Sequence, residues 1–327
     1  FIEQAFPRRE TVDAVLRVLD DAGADGASTP EIMAVVNLGR GRIDALLKVL
    51  DVEGAVSRMG TRWVLEPGST WAYDAERYAR ITELRRHEQA AMAAFGADGR
   101  CLMRALQEEL DDPDPADCGR CSACAGRAYG VALDATLVRD AALHLRSRPL
   151  VLEAKKMAPD AEGRMKKIPE DARAEDGRAL ARLGDGGWDP AIQAGLRAGR
   201  FDDELVDAAA AAIRSWGAPV AWVAAVPSTR KGDLVPDFAR RLAGALGLPY
   251  ADAVARTQER PPQREMANAA QQAANVRGAF AIADPPAGPC LLVDDVRFSG
   301  WTLAMVAGQL RRRGSGPVFP FALTSAF

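Results

Sequence analysis

Several features are missing from this sequence, and their absence limits what the chain can do. No Gly-Lys pair occurs in it, so it holds no phosphate-binding loop of the Gly-x4-Gly-Lys-Ser/Thr kind. No run approaches the ~20 apolar residues that cross a membrane, so we expect no membrane partner. A formal net charge of −3 excludes a globally basic nucleic-acid binder, and any such contact must come from local patches.

Size and composition predict a chain of two or three domains. Single hydrophobic cores rarely grow past about 250–300 residues, and this chain has 327. Its hydrophobic content of 48% is enough for well-packed cores. The sequence contains no low-complexity tail and no internal repeat, so the domains are expected to differ from one another.

Four of the five cysteines have the spacing of a metal site: Cys101, Cys118, Cys121 and Cys124. A Cys-x2-Cys turn brings two thiolates to one metal, and four thiolates suit tetrahedral Zn²⁺. The alternatives are two disulfides or unrelated thiols, but no signal peptide precedes the cysteines to indicate an oxidising compartment. Four sulfur ligands leave no open position for water, so the zinc is expected to be structural. The fifth cysteine, Cys290, opens an apolar run and is predicted to be a core thiol.

The stretch from Cys101 to Cys124 resembles the zinc module of RecQ-family DNA helicases. Leu102-Met103-Arg104-Ala105-Leu106 after the first cysteine and Cys118-Gly-Arg-Cys121 at the turn carry this resemblance, which covers roughly residues 78–130. It implies that Cys101 lies on a helix of a helical hairpin and that the other three cysteines lie on the following loop.

The first seventy residues predict a winged helix. Apolar spacing indicates a helix from Thr11 to Ala22, and a third helix places Ile43, Leu46, Leu47 and Leu50 on one face. Between them a short helix is predicted, with Thr29 as its cap and Pro30 at its first position. Two short strands around Met59-Gly60 follow, which completes the winged-helix order. The predicted contacts with duplex DNA phosphates are Arg40, Arg42, Arg58 and Arg62. The alternative is a protein-docking winged helix with solvated arginines.

A winged helix followed by the zinc module resembles the RecQ-like helicase H type, which ends in a phosphoribosyltransferase-like domain. The resemblance implies an accessory, C-terminal region of an ATP-dependent 3′-to-5′ helicase. Its motor would lie outside this chain, and ATP would act only through that motor. The expected partners are duplex or forked DNA and the motor, in the bacterial cytoplasm at the nucleoid. The start at Phe1, without an initiator Met, fits this expectation.

The second strong motif runs from Pro289 to Thr302, where an apolar strand ends in two carboxylates and a glycine-containing loop opens a helix. It resembles the phosphoribosyl-pyrophosphate loop of type I phosphoribosyltransferases, and the flanking sequence is similar to the ComF-like branch. The resemblance implies that Asp294 and Asp295 hold the ribose, with Mg²⁺ as the metal of the ligand. The implied 5′-phosphate contacts are Ser299, Gly300, Trp301 and Thr302, and the implied pyrophosphate contacts are Arg230 and Lys231. Phe298 and Trp301 depart from the family pattern because both are bulky.

The expected fold is multidomain α/β: a winged helix (1–72), a helical hairpin with the four-Cys zinc module (73–132), an intermediate α+β region (133–217), and a type I phosphoribosyltransferase-like doubly wound α/β domain (218–327). In the intermediate region the sequence predicts a helix from Asp134 to Arg146, a strand at 149–153, a helix from Arg178 ending at glycines before Trp188, and a helix from Asp202 to Trp216. Two other functions remain open: a phosphoribosyltransferase with an unknown acceptor, and a platform that recruits proteins.

Overall fold

The computed structural model describes residue 2 and residues 8–126, 132–148, 150–228 and 230–326. The chain is mixed α/β with a mainly parallel central sheet. No helix among these residues combines the length and the apolar character needed to cross a bilayer. Residues 127–131 of the predicted zinc module, Pro149 of a predicted strand and Thr229 of the predicted pyrophosphate loop lie outside the described ranges.

The N-terminal unit contains three helices and a three-stranded antiparallel sheet of order β1-β3-β2. Its elements are α1 (Arg9–Ala22), β1 (Ala27–Ser28), α2 (Thr29–Val35), α3 (Arg40–Val52), β2 (Val56–Met59) and β3 (Arg62–Leu65). The four apolar residues predicted on one face of α3 are all buried, and they pack against Val15 and Leu19 of α1. The helices and strands predicted here are therefore present, in the predicted order.

The start of α2 differs from the prediction in one detail. Ser28, not Thr29, is the residue before the helix, and its N–H and Oγ both donate to the Glu31 carboxylate at 2.9 Å. Thr29 is buried and donates to Asp44 of α3 at 3.0 Å. The cap moves by one residue because the Thr29 hydroxyl links α2 to α3 instead.

Four helices follow the N-terminal unit, and few of their side chains are buried. They are α4 (Ala75–Ala94), α5 (Leu102–Glu109), α6 (Ser122–Ala125) and α7 (Ala135–Ser147). α4 and α7 have no buried residue, and α5 has only Ala105. The side-chain packing that holds this segment is therefore sparse.

The central sheet has five strands in the order β4-β7-β12-β11-β8. Its strands are β4 (Leu150–Leu152), β7 (Gly177–Arg182), β8 (Trp222–Ala225), β11 (Cys290–Arg297) and β12 (Val318–Ser325). β7, β12, β11 and β8 are parallel, and β4 adds an antiparallel edge. Parallel strands need helices on both faces, so both faces of the sheet must be covered.

Alternate residues of β11 enter two separate cores. Leu291 and Val293 pack against α8 (Asp189–Ala198), α9 (Asp203–Trp216) and α10 (Leu234–Leu246). Cys290 and Leu292 face α11 (Ala269–Val276) and α12 (Trp301–Arg312). Cys290 is fully buried, as predicted for a core thiol. Two small antiparallel pairs complete the chain: β5 (Met157–Pro159) with β6 (Met165–Lys167), and β9 (Val254–Arg256) with β10 (Phe280–Ile282).

The intermediate region differs most from its prediction. The sequence predicts a helix from Arg178, but residues 177–182 form β7, which pairs with β12 and β4. Local alanine content favours a helix, whereas burial of Ala179, Leu180 and Ala181 between two strands favours β structure. β4 and β7 share one sheet with β8, so the boundary predicted between residues 217 and 218 cuts through that sheet.

Candidate metal and phosphate sites

The four predicted metal ligands come together in the structure. Their sulfur atoms all lie within 4.8 Å of one another, and the Sγ atoms of Cys101 and Cys121 are 3.9 Å apart. A disulfide needs about 2.05 Å, and all five cysteines are free thiols, so the disulfide alternative is wrong. Four sulfurs at about 2.3 Å from a tetrahedral Zn²⁺ lie about 3.8 Å apart, which fits this cluster. The cluster can therefore hold a metal ion.

Backbone amides prepare the cluster for ionised sulfur. The Cys118 N–H donates to Cys101 Sγ at 3.2 Å and the Cys121 N–H donates to Cys118 Sγ at 3.3 Å. Hydrogen bonds from backbone N–H groups, of which that of Cys124 acts most strongly, lower the pKa of Cys121 to about 6. Hydrogen bonds with Cys101 and Cys121 raise the pKa of Cys124 to about 12. These shifts favour an ionised sulfur at Cys121 and a protonated one at Cys124 in the metal-free cluster.

A cavity of about 260 Å³ lies at the carboxyl ends of β8 and β11. Asp294 is the first residue of β11 beyond its pairing with β8, and the loop that follows β8 carries Arg230 and Lys231. Adjacent parallel strands end at the same edge of a sheet, so motifs about 64 positions apart meet there. Five predicted ligand-binding residues line this cavity: Arg230, Lys231, Asp294, Asp295 and Thr302.

The two carboxylates are held in different ways. Lys231 Nζ forms an ion pair with Asp295, whose side chain is only 7% exposed. The Asp295 N–H donates to Asp294 Oδ1 at 2.9 Å, and the Val296 N–H donates to Asp295 Oδ1 at 2.7 Å. Burial, together with the negative charge of Asp295, raises the pKa of Asp294 well above its usual range. A bound cation, or hydroxyl groups of a ligand, would stabilise the charged form of Asp294.

The remaining predicted phosphate residues form the turn into α12. Gly300 has φ +78°, and the first N–H groups of the twelve-residue helix beyond it have no intrahelical acceptor. Trp301 is 3% exposed and belongs to the core, so its bulk points away from the cavity. Ser299 Oγ is buried without a hydrogen-bond partner within the described residues. The bulky side chain of Trp301 therefore leaves the turn into α12 open.

Lys155, from the segment between β4 and β5, lies beside the turn into α12 and is absent from the predicted phosphate contacts. Its Nζ lies 4.4 Å from the centre of the Trp301 ring. Burial lowers the pKa of Lys155, and the positive charge of Arg297 adds to that effect. A phosphate at the start of α12 would offset the repulsion between these two cations.

The cavity also has basic residues that the sequence prediction left out. Arg256, Arg260 and Arg264 line it together with Gln263 and Asn275. Burial, then repulsion from Arg230, lowers the pKa of Arg256. Arg260 Nε is buried and has no hydrogen-bond partner in the part of the chain that the structure describes. Five cations thus face two carboxylates, which favours an anionic ligand. Three arginines lie between positions 256 and 264, and all three line the cavity. This cluster beside Pro261-Pro262 is the signal in the sequence.

The four predicted DNA contacts differ in their surroundings. Arg40 and Arg42 are exposed at the start of α3, where Arg40 lies 3.6 Å from Asp44. Arg58 is exposed on the β2–β3 hairpin, and its Nε donates to the Gly60 carbonyl at 3.0 Å. Arg62 instead turns inward, pairs with Glu31 at 2.7 Å, and donates to the Gly26 carbonyl at 2.8 Å. Arg62 therefore serves the fold, because its hydrogen bonds are used within the unit.

This inward pair predicts a stability change with pH. The Ser28 N–H, against the opposing effect of burial, lowers the pKa of Glu31 to about 2, with Arg164 and Arg62 adding to it. A lowered pKa stabilises the fold above the ordinary value of 4.5 and loses that effect as pH falls from 4.5 towards 2. We expect Glu31→Gln to lower the free energy of unfolding by about 1–2 kcal/mol at pH 7.

The check is urea denaturation between pH 7 and pH 3. The gap between Glu31→Gln and wild type should narrow below pH 4.5, because Glu31 of the unfolded chain then takes up a proton while the folded carboxylate stays ionised until about pH 2. Glu10→Gln, at an exposed first-turn position of α1, is the matched control. A gap that stays constant down to pH 3 would contradict this role of Glu31.

The wall of the cavity is tied to the N-terminal unit. Asn268, 5% exposed, places its Nδ2 within 3.0–3.1 Å of the carbonyls of Met33, Val36 and Leu38 at the end of α2. Asn37 Nδ2 in turn donates to the Glu265 carbonyl at 2.9 Å. Helix-end carbonyls lack partners within their own helix, so these amides satisfy α2 from another part of the chain. These contacts hold the segment that carries Arg256, Arg260 and Arg264 at the wall of the cavity.

Asn268→Ala is expected to lower the free energy of unfolding by about 2–3 kcal/mol, since buried carbonyls at the end of α2 lose their donor. The measurement is equilibrium denaturation followed by circular dichroism. Gln89→Ala, on the exposed face of α4, removes an amide without removing such contacts and is the control. Equal stability of the two variants would show that Asn268 does not hold the units together.

Comparisons with known proteins add no assignment. No protein-family model matches the chain, and no curated protein matches it. Its function must therefore be argued from the cysteine cluster, the cavity and the exposed arginines.

Proposed function

We propose that the C-terminal α/β domain binds a phosphorylated ribose ligand with Mg²⁺, on a fold of the type I phosphoribosyltransferase kind. The observation that carries this proposal is the cavity in which Lys231, Asp294, Asp295 and the arginines converge. Carboxylates accept hydrogen bonds from ribose hydroxyls, and lysine and arginine bind phosphates. The open turn at the start of α12 adds backbone N–H groups for a phosphate.

Binding is better supported than transfer. The cavity volume of about 260 Å³ lies just below the range of about 300–1,000 Å³ that is usual for small-molecule sites. Phe298 occupies part of its lining, where a small hydroxyl residue would leave more room. The space suits one phosphoribosyl ligand, whereas transfer needs room for an acceptor as well.

The experiment is a calorimetric titration with phosphoribosyl pyrophosphate and Mg²⁺, combined with an assay for released pyrophosphate. Heat of binding without pyrophosphate release supports a binding domain. Release in the presence of an acceptor supports the alternative, a phosphoribosyltransferase. No heat at millimolar ligand would refute both and leave a platform that recruits proteins.

We further propose that the cysteine cluster binds structural Zn²⁺ through Cys101, Cys118, Cys121 and Cys124. A site of four thiolates closes the coordination sphere, so the metal would hold the surrounding loop rather than activate water. The lowered pKa of Cys101, caused mainly by the Arg104 and Cys118 backbone N–H groups, favours metal binding near neutral pH.

A second proposal concerns DNA: the chain is the accessory region of a RecQ-like DNA helicase, and its N-terminal unit is a winged helix that contacts DNA. Its support is the placement of Arg40, Arg42 and Arg58, which are exposed on α3 and on the hairpin. An α-helix and a neighbouring hairpin can reach a groove and the adjacent phosphates. The motor and ATP hydrolysis would belong to residues outside this chain.

Arg40→Glu with Arg42→Glu is expected to weaken binding of a forked duplex about tenfold or more, because two phosphate contacts become repulsive. Fluorescence anisotropy over a range of salt concentrations measures the affinity and the number of ions released. Arg9→Glu with Arg17→Glu, on exposed positions of α1, makes the same change in charge and is the control. Equal losses in the two double variants would refute α3 as the contact.

A further inference from the structure

A second cavity, of about 410 Å³, lies between α7, β7 and α9 and shares no lining residue with the first. Its floor is formed by small residues of α9: Ala208, Ala211, Ala212 and Ser215. Residues three and four positions apart share one face of a helix, so these side chains lie together. They are too short to fill the space beside them, and the resulting volume falls within the usual range for a small-molecule site.

The cavity carries a local positive charge. Arg146 and Arg148 reach it from the end of α7, and Arg178 reaches it from β7. None of the described residues that line it is acidic. The nearest compensation is Glu204, which is 64% exposed and 3.4 Å from Arg146, so solvent screens that pair. The site is therefore cationic in a chain whose net charge is −3.

Two of these arginines stack on tryptophan. The Arg146 guanidinium lies 4.3 Å from the Trp188 ring centre, and that of Arg178 lies 5.1 Å from the Trp216 ring centre. Trp188 Nε1 also donates to the Arg146 carbonyl at 3.3 Å, which fixes the end of α7. Arg146 Nε donates to the Gly187 carbonyl at 3.4 Å, and Arg178 Nη1 donates to the Gly177 carbonyl at 2.9 Å. A stacked guanidinium uses its face and keeps its other N–H donors at its edge, where they can bind phosphate oxygens.

We propose that this second cavity binds the phosphate of a nucleotide, either a free nucleotide or one unit of a single-stranded nucleic acid. The arginine edges bind the phosphate, and the indole walls and alanine floor accept the flat apolar surface of a base. The site is separate from the proposed phosphoribosyl cavity and from the arginines of α3. It assigns a ligand to the intermediate region, whose sequence patterns predict no particular chemistry.

The test uses the whole chain and two probes: thymidine 5′-monophosphate, followed by tryptophan fluorescence, and a fluorescein-labelled thymidine 12-mer, followed by anisotropy. Arg148→Gln with Arg178→Gln should weaken whichever probe binds about tenfold or more, since charge-assisted hydrogen bonds are lost. Arg182→Gln, on β7 but outside the cavity, should change the affinity less than twofold. Ala211→Phe keeps every charge and should block binding by filling the floor.

The pattern of losses identifies the source of the phosphate. Loss of monophosphate binding in both cavity variants supports a free nucleotide, whereas loss of 12-mer binding alone supports a strand. In the Arg40→Glu, Arg42→Glu variant, Arg148→Gln with Arg178→Gln should still cause the same fold loss of affinity, which separates this site from the α3 surface. Absence of binding by both probes at millimolar monophosphate and micromolar 12-mer, or an equal loss in Arg182→Gln, would overturn the proposal.

Discussion

Removal of the metal is expected to unfold residues 100–126 and to leave the central sheet intact. Only Cys101 and Ala105 are buried in this segment, so apolar packing contributes little to it. Structural zinc in small sites contributes apparent free energies of about 10–16 kcal/mol. Amide hydrogen exchange with and without a chelator should therefore show loss of protection in α5 and α6. The amides of β11 and β12 should keep theirs and serve as the internal control.

The same prediction can be tested through the cysteines themselves. Cys121→Ser should lower Zn²⁺ affinity about a hundredfold or more, because a neutral hydroxyl replaces a thiolate in the donor set. Cys290→Ala removes the cysteine outside the cluster and should still bind one metal per chain. Full protection of α5 in the metal-free chain, or metal bound equally by both variants, would contradict a structural metal centre.

Replacement of Arg256 by Gln is expected to move ligand affinity and stability in opposite directions. Burial is the larger cost for the charge of Arg256 in the free protein, and repulsion from Arg230 adds to it. Its removal should leave the melting temperature equal to or above that of wild type. It should also weaken binding of phosphoribosyl pyrophosphate about tenfold or more, because a charge-assisted contact is lost.

The two measurements are calorimetric titration and thermal unfolding on the same samples. Arg312→Gln, on an exposed position near the end of α12, is the matched control and should leave the affinity unchanged. A residue that only supports the fold would lower both affinity and melting temperature. That outcome would remove Arg256 from the ligand site.

Local sequence patterns predicted the elements whose environment they determine. The apolar face of α3 and the apolar run of β11 that ends in two carboxylates are both visible in the residues themselves, and both are present. The helix predicted from Arg178 was wrong, because a strand buried on both faces, such as β7, shows no alternation of apolar and polar residues. The alanines of β7 also favour a helix locally. β7 begins at Gly177, and the structure explains this glycine, because a Cβ there would lie 2.4 Å from the Pro320 carbonyl oxygen. That close approach depends on a strand more than a hundred positions away.

The residues of the candidate sites also divide into those that a local motif predicts and those that it does not. The cysteines and the Asp294-Asp295 pair form short motifs, so sequence alone could place them. Lys155 and Arg256 could not be placed in this way, because separate elements bring them to the loop and the cavity. The inward turn of Arg62 likewise depends on Glu31, whose position is set by the start of α2. Side chains contributed across elements become visible only once the sheet and its connections are known.

The most direct measurement of the proposed ligand site is a phosphorus-31 NMR titration of phosphoribosyl pyrophosphate and Mg²⁺ with the whole chain. The 5′-phosphate and pyrophosphate resonances are both expected to shift or broaden, because α12 and the 230–231 loop lie at the same cavity. These changes should be weaker in Arg256→Gln. Spectra unchanged by an equimolar amount of protein at millimolar ligand would contradict a phosphoribosyl site at this cavity.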